Sequence, residues 1–201
     1  LYLNLHIGSE TGIDGLKLSY RDGKLKIASS EGRRLRLHIR IPEYAQGRTL
    51  TLNGKAVTPE IENGYAVIER EFSDDDTVGI SFEYRVIREE SHPYVWENCY
   101  IMLHPDDRVA VRYGRFIYCA EAVDNGGDVD FVLSDDPLVH NSDGTVTGKT
   151  TDGRDVILTP YYKWNNRGNC GMRIWLKQDG MKRDGSLTGW EKRLYRPWKI
   201  D

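Results

Sequence analysis

Residues 33–42 read RRLRLHIRIP, an uninterrupted alternation of polar and apolar side chains in which Leu35, Leu37, Ile39 and Ile41 take every second position. Successive side chains of a β-strand point to opposite faces, so this period of two predicts a strand with one buried and one solvated face. Residues 77–86, TVGISFEYRV, alternate in the same way and predict a second long strand.

Short turns are predicted between the alternating segments, because five dipeptides suit two-residue hairpin turns whose central residues both need positive φ. They are Asp22-Gly23, Asn53-Gly54, Asn63-Gly64, Asp143-Gly144 and Asp152-Gly153. Strands that recur about every ten residues, without a sustained 3.6-residue period, predict an all-β fold of two consecutive antiparallel β-sandwich domains, jelly-roll or Ig-like. A short helix is expected only around GWEKRLY, residues 189–195.

The polar stretch REESHP, residues 88–93, is the predicted boundary between the domains. We expect a first β-sandwich over residues 1–90, a second over 91–176, and a basic C-terminal tail over 177–201. Seven basic and four acidic residues lie in this tail, which favours a solvated segment over a nucleic-acid arm. The chain opens with LYLNLHIG, without methionine and already in strand-like alternation, so we expect it to be cut from a longer protein.

The overall charge argues against two classes of partner. A formal net charge of −3 gives no basic field for nucleic acid or an anionic membrane, and no apolar run approaches the ~20 residues that span a bilayer. Cys99, Cys119 and Cys170 are an odd number at wide spacing, which predicts reduced thiols rather than a disulfide framework. The sequence favours a bacterial cytoplasmic location but leaves the compartment open.

Catalytic and metal-binding patterns are weak. The acidic run Asp74-Asp75-Asp76 is predicted to be a solvated turn rather than an acid/base pair. Residues 124–130, DNGGDVD, are predicted to be a surface loop, with a structural calcium site as the alternative. The five histidines lack zinc-site spacing, and Cys119 is expected to be a small buried residue rather than a nucleophile.

Residues 158–176, LTPYYKWNNRGNCGMRIWL, hold four large aromatic residues that either pack internally or stack on sugar rings. The packing interpretation places Trp164 and at least one of Tyr161 and Tyr162 over the end of the second sandwich, where they would be buried against its core. Its structural motif is Trp164, Asn166, Arg167 and Gly168, with Arg167 donating to carbonyls of the turn. The less favoured alternative is a carbohydrate-binding surface made by Tyr161, Tyr162, Trp164 and Trp175.

Four stretches occur in an order that resembles the C-terminal half of the β-L-arabinofuranosidase-like glycoside hydrolases, family 127. They are LYLNLHIGSE, LRLHIRIPEYAQGRTLTLNGKAV, RVAVRYGRFIYCAE and TPYYKWNNRGNCGMRIWL. The chain departs from the family pattern in an apparent insertion at residues 96–107, in Arg115-Phe116 where Gly-Pro is usual, and in its length after Leu176.

The resemblance implies an (α/α)6 barrel that precedes two β-sandwiches and carries the zinc, the nucleophilic cysteine and the acid/base glutamate. This chain has neither a Cys-Cys pair nor a helical barrel, so we expect no catalytic residue, metal ligand or cofactor in it. The implied role is a non-catalytic region that supports or dimerises the barrel of an enzyme acting on arabinose-containing plant glycans. The alternative is a free-standing carbohydrate-binding or surface-interaction module.

Overall fold

The computed structural model describes residues 1–29, 32–97, 107–181, 186–190 and 192–201. The chain forms two compact units, Leu1–Tyr84 and Arg85–Asp201, and is built almost wholly of β-strands. The all-β prediction is therefore confirmed. In the described residues, no helix is long and apolar enough to cross a membrane.

The first unit contains ten strands in two sheets. The strands are β1 (Tyr2–Leu3), β2 (Ser9–Ile13), β3 (Leu16–Arg21), β4 (Lys24–Ser29), β5 (Arg33–Arg40), β6 (Gly47–Leu52), β7 (Lys55–Val57), β8 (Glu60–Glu62), β9 (Tyr65–Phe72) and β10 (Asp76–Glu83). One sheet has the order β1-β5-β9-β8, and the other has the order β2-β3-β4-β10-β6-β7. All neighbours are antiparallel except β1 and β5, which are parallel.

Strand β5 forms where the alternation at residues 33–42 predicted a strand with one buried face. Leu37 and Ile39 are buried in the core of the first unit, and β5 pairs with β9 along its whole length. The second alternation, residues 77–86, does not form one strand, because β10 ends at Glu83 and the next strand begins at Val86. The division between the units falls inside that alternation, a few residues before the predicted boundary.

Three of the five predicted dipeptides form two-residue hairpin turns in which both residues have positive φ: Asp22-Gly23, Asn53-Gly54 and Asn63-Gly64. Asp14-Gly15, which the sequence prediction omitted, has the same geometry between β2 and β3. In Asp143-Gly144 and Asp152-Gly153 only the glycine has positive φ, so these are turns of another type.

The described residues of the second unit contain the remaining strands and one short α-helix. They are β11 (Val86–Ser91), α1 (Pro93–Glu97), β12 (Arg108–Tyr113), β13 (Phe116–Glu121), β14 (Val132–Leu133), β15 (Val139–His140), β16 (Val146–Lys149), β17 (Asp155–Pro160), β18 (Met172–Arg173), β19 (Leu176–Gln178) and β20 (Tyr195–Ile200). The central order is β14-β19-β12-β13-β17-β16-β15, with β11 joining β12 to β20 and β18 pairing with β13. β14 and β19 are parallel.

The predicted C-terminal tail is an integral part of the second unit. Strand β20 pairs with β11, the first strand of that unit, and the helix expected around residues 189–195 is absent from the described part of that stretch. The fully buried Arg88 fixes this end of the chain, since its Nε donates to Asp201 Oδ2 at 3.0 Å and its Nη1 donates to Gln178 Oε1 at 2.6 Å.

The core of the second unit lies beneath strands β12, β13 and β17. Its members include Val109, Val111, Tyr118, Leu158 and Leu176, which are at most 1% exposed. β13 and β17 are antiparallel neighbours, with Cys119 opposite Thr159. A 3-10 turn follows each of these two strands, at Ala122–Asp124 and Tyr161–Lys163.

A matched pair of glycine substitutions tests the turn geometry. Gly54 has a φ of +78° with no atom within 4 Å of an added Cβ, so Gly54→Ala adds only backbone strain of about 1 kcal/mol. Gly23 has a φ of +73°, and its Cβ would meet the Ile80 carbonyl oxygen at 2.6 Å. We therefore expect Gly23→Ala to lower the free energy of unfolding by roughly 1–3 kcal/mol more. Urea unfolding measures both losses, and equal values would contradict this account.

Candidate functional site

The segment after β17 turns back towards the end of β13 and brings polar groups from distant parts of the sequence together. The backbone N–H of Asn165 donates to Glu121 Oε1 at 3.1 Å, and the guanidinium of Arg167 reaches Glu121 and Asp124. Asn165 and Gly168 both have positive φ, which reverses the chain direction within four residues. The predicted turn at residues 165–168 is present.

Arg167 joins two carboxylates. Its Nη1 and Nη2 donate to the two oxygens of Asp124 at 2.6 and 2.5 Å, and Nη2 also donates to Glu121 Oε2. The Glu121 side chain is 0% exposed, whereas Arg167 is 44% exposed. The bonds to Asp124 and, to a smaller extent, the bond to Glu121 raise the pKa of Arg167 above its ordinary value. The prediction that Arg167 bonds carbonyls was wrong, because carboxylates occupy its donors.

We call Glu121, Asp124 and Arg167 the carboxylate–arginine cluster. A buried carboxylate is tolerated when it is paired and hydrogen-bonded, and both oxygens of Glu121 have donors. Glu121 was not predicted from the sequence, because it lies 46 positions from Arg167. The available signal was an acidic residue at the end of the apolar strand FIYCAE. The arrangement stabilises a turn and leaves no free carboxylate at Glu121.

The aromatic side chains at residues 161–164 lie at the surface, directly before this turn. Tyr161, Tyr162 and Trp164 are 42%, 62% and 39% exposed. The rings of Tyr161 and Trp164 are nearly parallel, with a centroid distance of 5.9 Å and an interplanar angle of 12°. The ring of Tyr162 packs on the ring of Phe116, with a distance of 5.1 Å between the ring centroids. The expectation that Trp164 is buried over the core was therefore wrong.

Trp175, grouped by sequence with these three residues, has a different neighbour. Its ring stacks on Tyr195 of β20 with a centroid distance of 6.0 Å. Within the described residues, its ring contact is with that strand and not with the rings at 161–164. The structure thus stacks two of the four candidate carbohydrate-binding residues, Tyr161 and Trp164, while Tyr162, in the same turn, packs its ring on Phe116.

The acidic run at residues 74–76 is only partly solvated. Asp74 and Asp75 are exposed, but Asp76 is buried and accepts hydrogen bonds from Asn53 Nδ2 at 2.7 Å and the Ser73 N–H at 2.8 Å. The hydrogen bond from Asn53 and, to a smaller extent, the one from Ser73 lower the pKa of Asp76. Asp76 is therefore a structural carboxylate that links neighbouring segments of the first unit.

The alternative of a calcium site in the loop at residues 124–130 has no support. Asp124 is bonded to Arg167, and Asp128 is bonded to Arg154 and to the Asp130 N–H. In the described part of the chain, no group of three or more His, Cys, Asp or Glu side chains could hold a metal ion.

Two family models match successive parts of the chain. Residues 1–84 match the "Beta-L-arabinofuranosidase, GH127 middle domain" and residues 101–177 match the "Glycoside hydrolase family 127 C-terminal domain". The chain belongs to glycoside hydrolase family 127. The first match ends at Tyr84, the last residue of the first structural unit.

Similar proteins of the family are much longer. The non-reducing end β-L-arabinofuranosidase of Bifidobacterium longum subsp. longum is 28% identical over 188 residues, an alignment that covers 75% of this chain and 27% of that protein. The crystal structure of a family 127 β-L-arabinofuranosidase from Geobacillus stearothermophilus T6 has a TM-score of 0.70 at 27% identity, covering 88% of this chain and 33% of that one. Another family 127 β-arabinofuranosidase shares the fold, with a TM-score of 0.71 at 24% identity, covering 89% of this chain and 34% of that one. The chain spans about a third or less of these proteins.

The cysteines of this family 127 chain occupy different environments. Cys119 is fully buried. Its burial and, to a smaller extent, the nearby Glu121 carboxylate raise the pKa of its thiol to about 12. Cys170 is half-buried, with its Sγ 3.9 Å from Glu121 Oε1. Cys119 and Cys170 are both free thiols, and Cys99 lies outside the described residues. The interpretation of Cys119 as a small buried residue is confirmed.

Removing the arginine of the cluster tests its structural role. Arg167→Ala leaves the buried Glu121 carboxylate without its ion-pair partner, and we expect the free energy of unfolding to fall by roughly 2–4 kcal/mol. Arg154→Ala is the matched control, because Arg154 forms only exposed ion pairs worth less than about 1 kcal/mol. Chemical denaturation measures both variants, and equal losses would contradict a stabilising role for the buried pair.

Cys119 should resist alkylation in the folded protein. With a pKa of about 12, its thiolate fraction at pH 8 is about one in ten thousand, and burial also blocks access. We expect iodoacetamide at pH 8 to modify Cys170 before Cys119, and urea to make Cys119 reactive. Peptide mapping by mass spectrometry distinguishes the sites. Native-state modification of Cys119 as rapid as in urea would contradict the buried environment.

Proposed function

We propose that this chain is the non-catalytic accessory region of a β-L-arabinofuranosidase-like glycoside hydrolase that acts on arabinose-containing plant glycans. In this proposal it supports or dimerises a catalytic barrel supplied by another part of the enzyme. The observation that carries the proposal is the combination of matches to middle and C-terminal domains with coverage of about a third or less of the relatives.

The roles of the reactive side chains support this assignment. General acid/base catalysis needs a carboxyl group that can exchange a proton with the substrate, yet both oxygens of Glu121 accept bonds from within the chain. Asp76 is likewise buried and hydrogen-bonded. Nucleophilic catalysis by cysteine needs an accessible thiolate, and the Cys119 thiol is buried with a raised pKa. These groups have structural environments rather than catalytic ones.

A domain-exchange experiment tests the proposal. A hybrid carries this chain in place of the homologous region of the Geobacillus stearothermophilus enzyme. We expect turnover of 4-nitrophenyl β-L-arabinofuranoside by the hybrid and none by this chain alone. The intact Geobacillus enzyme is the positive control, and the same enzyme truncated before the exchanged region should lose solubility or activity.

Two outcomes would contradict the accessory role. Turnover by the isolated chain would place catalysis within it, and the variant Cys119→Ser would then show whether that thiol is the nucleophile. Full activity and unchanged thermal stability of the truncated Geobacillus enzyme would show that this region gives the catalytic part no support. Reading the DNA upstream of the Leu1 codon adds an independent test, since a frame encoding a signal peptide and no barrel would favour a free-standing module.

A further inference from the structure

We propose that Tyr161, Tyr162 and Trp164 form a binding surface for a neutral oligosaccharide. We call these three residues the aromatic surface. The choice of an arabinose-containing glycan as ligand rests on the proposed function, whereas the assignment of the surface rests on the geometry of the three rings.

The first argument is exposure. Large aromatic side chains usually bury most of their area, and they contribute strongly to binding where they are left accessible. Here three of four consecutive residues are aromatic and 39–62% exposed. The rings of Tyr161 and Trp164 are nearly parallel, and Tyr162, in the same turn, packs on Phe116. Exposed aromatic rings supply apolar faces on which the C–H groups of a sugar can stack.

The second argument is rigidity. Pro160 precedes the 3-10 turn that carries the two tyrosines, and proline restricts its own φ. The Trp164 N–H donates to the Tyr161 carbonyl at 3.0 Å. Directly after Trp164, the Asn165 N–H and the Arg167 guanidinium both donate to Glu121 of the carboxylate–arginine cluster. Both ends of the aromatic surface are therefore fixed, which lowers the entropy lost when a ligand binds.

The third argument concerns polar groups beside the rings. Asn165, Asn166 and Asn169 are exposed, and in the part of the chain that the structure describes their side-chain amides have no hydrogen-bond partner. An amide offers both donors and an acceptor, as sugar hydroxyl groups require. The Lys163 ammonium lies 5.9 Å from the Tyr162 ring centre, and the Arg167 guanidinium of the following turn is already paired with Glu121 and Asp124. Because carboxylates neutralise this arginine, the surface favours a neutral ligand over a polyanion.

Binding to arabinan tests the proposal on the 201-residue chain itself. Affinity electrophoresis through arabinan-containing gels, with isothermal titration against arabino-oligosaccharides, compares the wild type with Trp164→Ala and Tyr162→Ala. Each substitution should weaken binding about tenfold, as expected when a stacking ring is removed. Tyr195→Ala is the matched control, because Tyr195 is 48% exposed and stacks on Trp175 instead; its affinity should equal that of the wild type.

The outcomes separate this inference from the accessory role. Absence of arabinan binding by the wild type, or equal affinity in all variants, would overturn the glycan-binding surface whether or not the domain-exchange hybrid is active. A loss in Tyr195→Ala equal to that in Trp164→Ala would also overturn it. Sedimentation velocity covers the remaining alternative, since self-association abolished by Trp164→Ala, without glycan binding, would make the surface an interface between copies. Near-UV circular dichroism verifies that each variant is folded.

Discussion

The buried carboxylate of Glu121 constrains the path of the chain where strand β13 ends. Glu121 closes strand β13 with no exposure, and an unpaired charge in that position would be strongly unfavourable. Arg167 and the Asn165 N–H satisfy it, so the chain after β17 must fold back across β13. That path determines where the rings at residues 161–164 lie, and it places them at the surface although they directly follow a core strand.

Local pattern predicted most of the fold. Strand β5 was predicted from strict alternation because its two faces differ in solvation, and the Asn53-Gly54 and Asn63-Gly64 turns were predicted from their tolerance of positive φ. Strand β20 was not predicted, because its sequence YRPWKI contains Pro197 and two basic residues and shows no clear apolar face. Its position is determined by pairing with β11 over more than 100 residues of sequence, which no local pattern encodes.

The candidate site could be predicted only in part. The sequence identified the aromatic and Asn-rich segment, and it identified Arg167 as a structural residue. It assigned carbonyl partners because the carboxylates at Glu121 and Asp124 lie more than 40 positions away. The exposure of Trp164 was likewise not predictable, because aromatic residues after a core strand are compatible with either packing or binding. Tertiary contacts, rather than residue type, place these side chains at the surface.

The pairing of β11 with β20 bears on the order of events during synthesis. A ribosome delivers the first strand of the second unit long before its partner, so one edge of β11 stays open while the rest of the unit emerges. An unpaired strand edge is a template for pairing with other chains. The β11–β20 pair, whose strands are far apart in the sequence, forms late and slowly during folding. The nascent second unit therefore exposes an unpaired edge of β11 until residues 195–200 can pair with it.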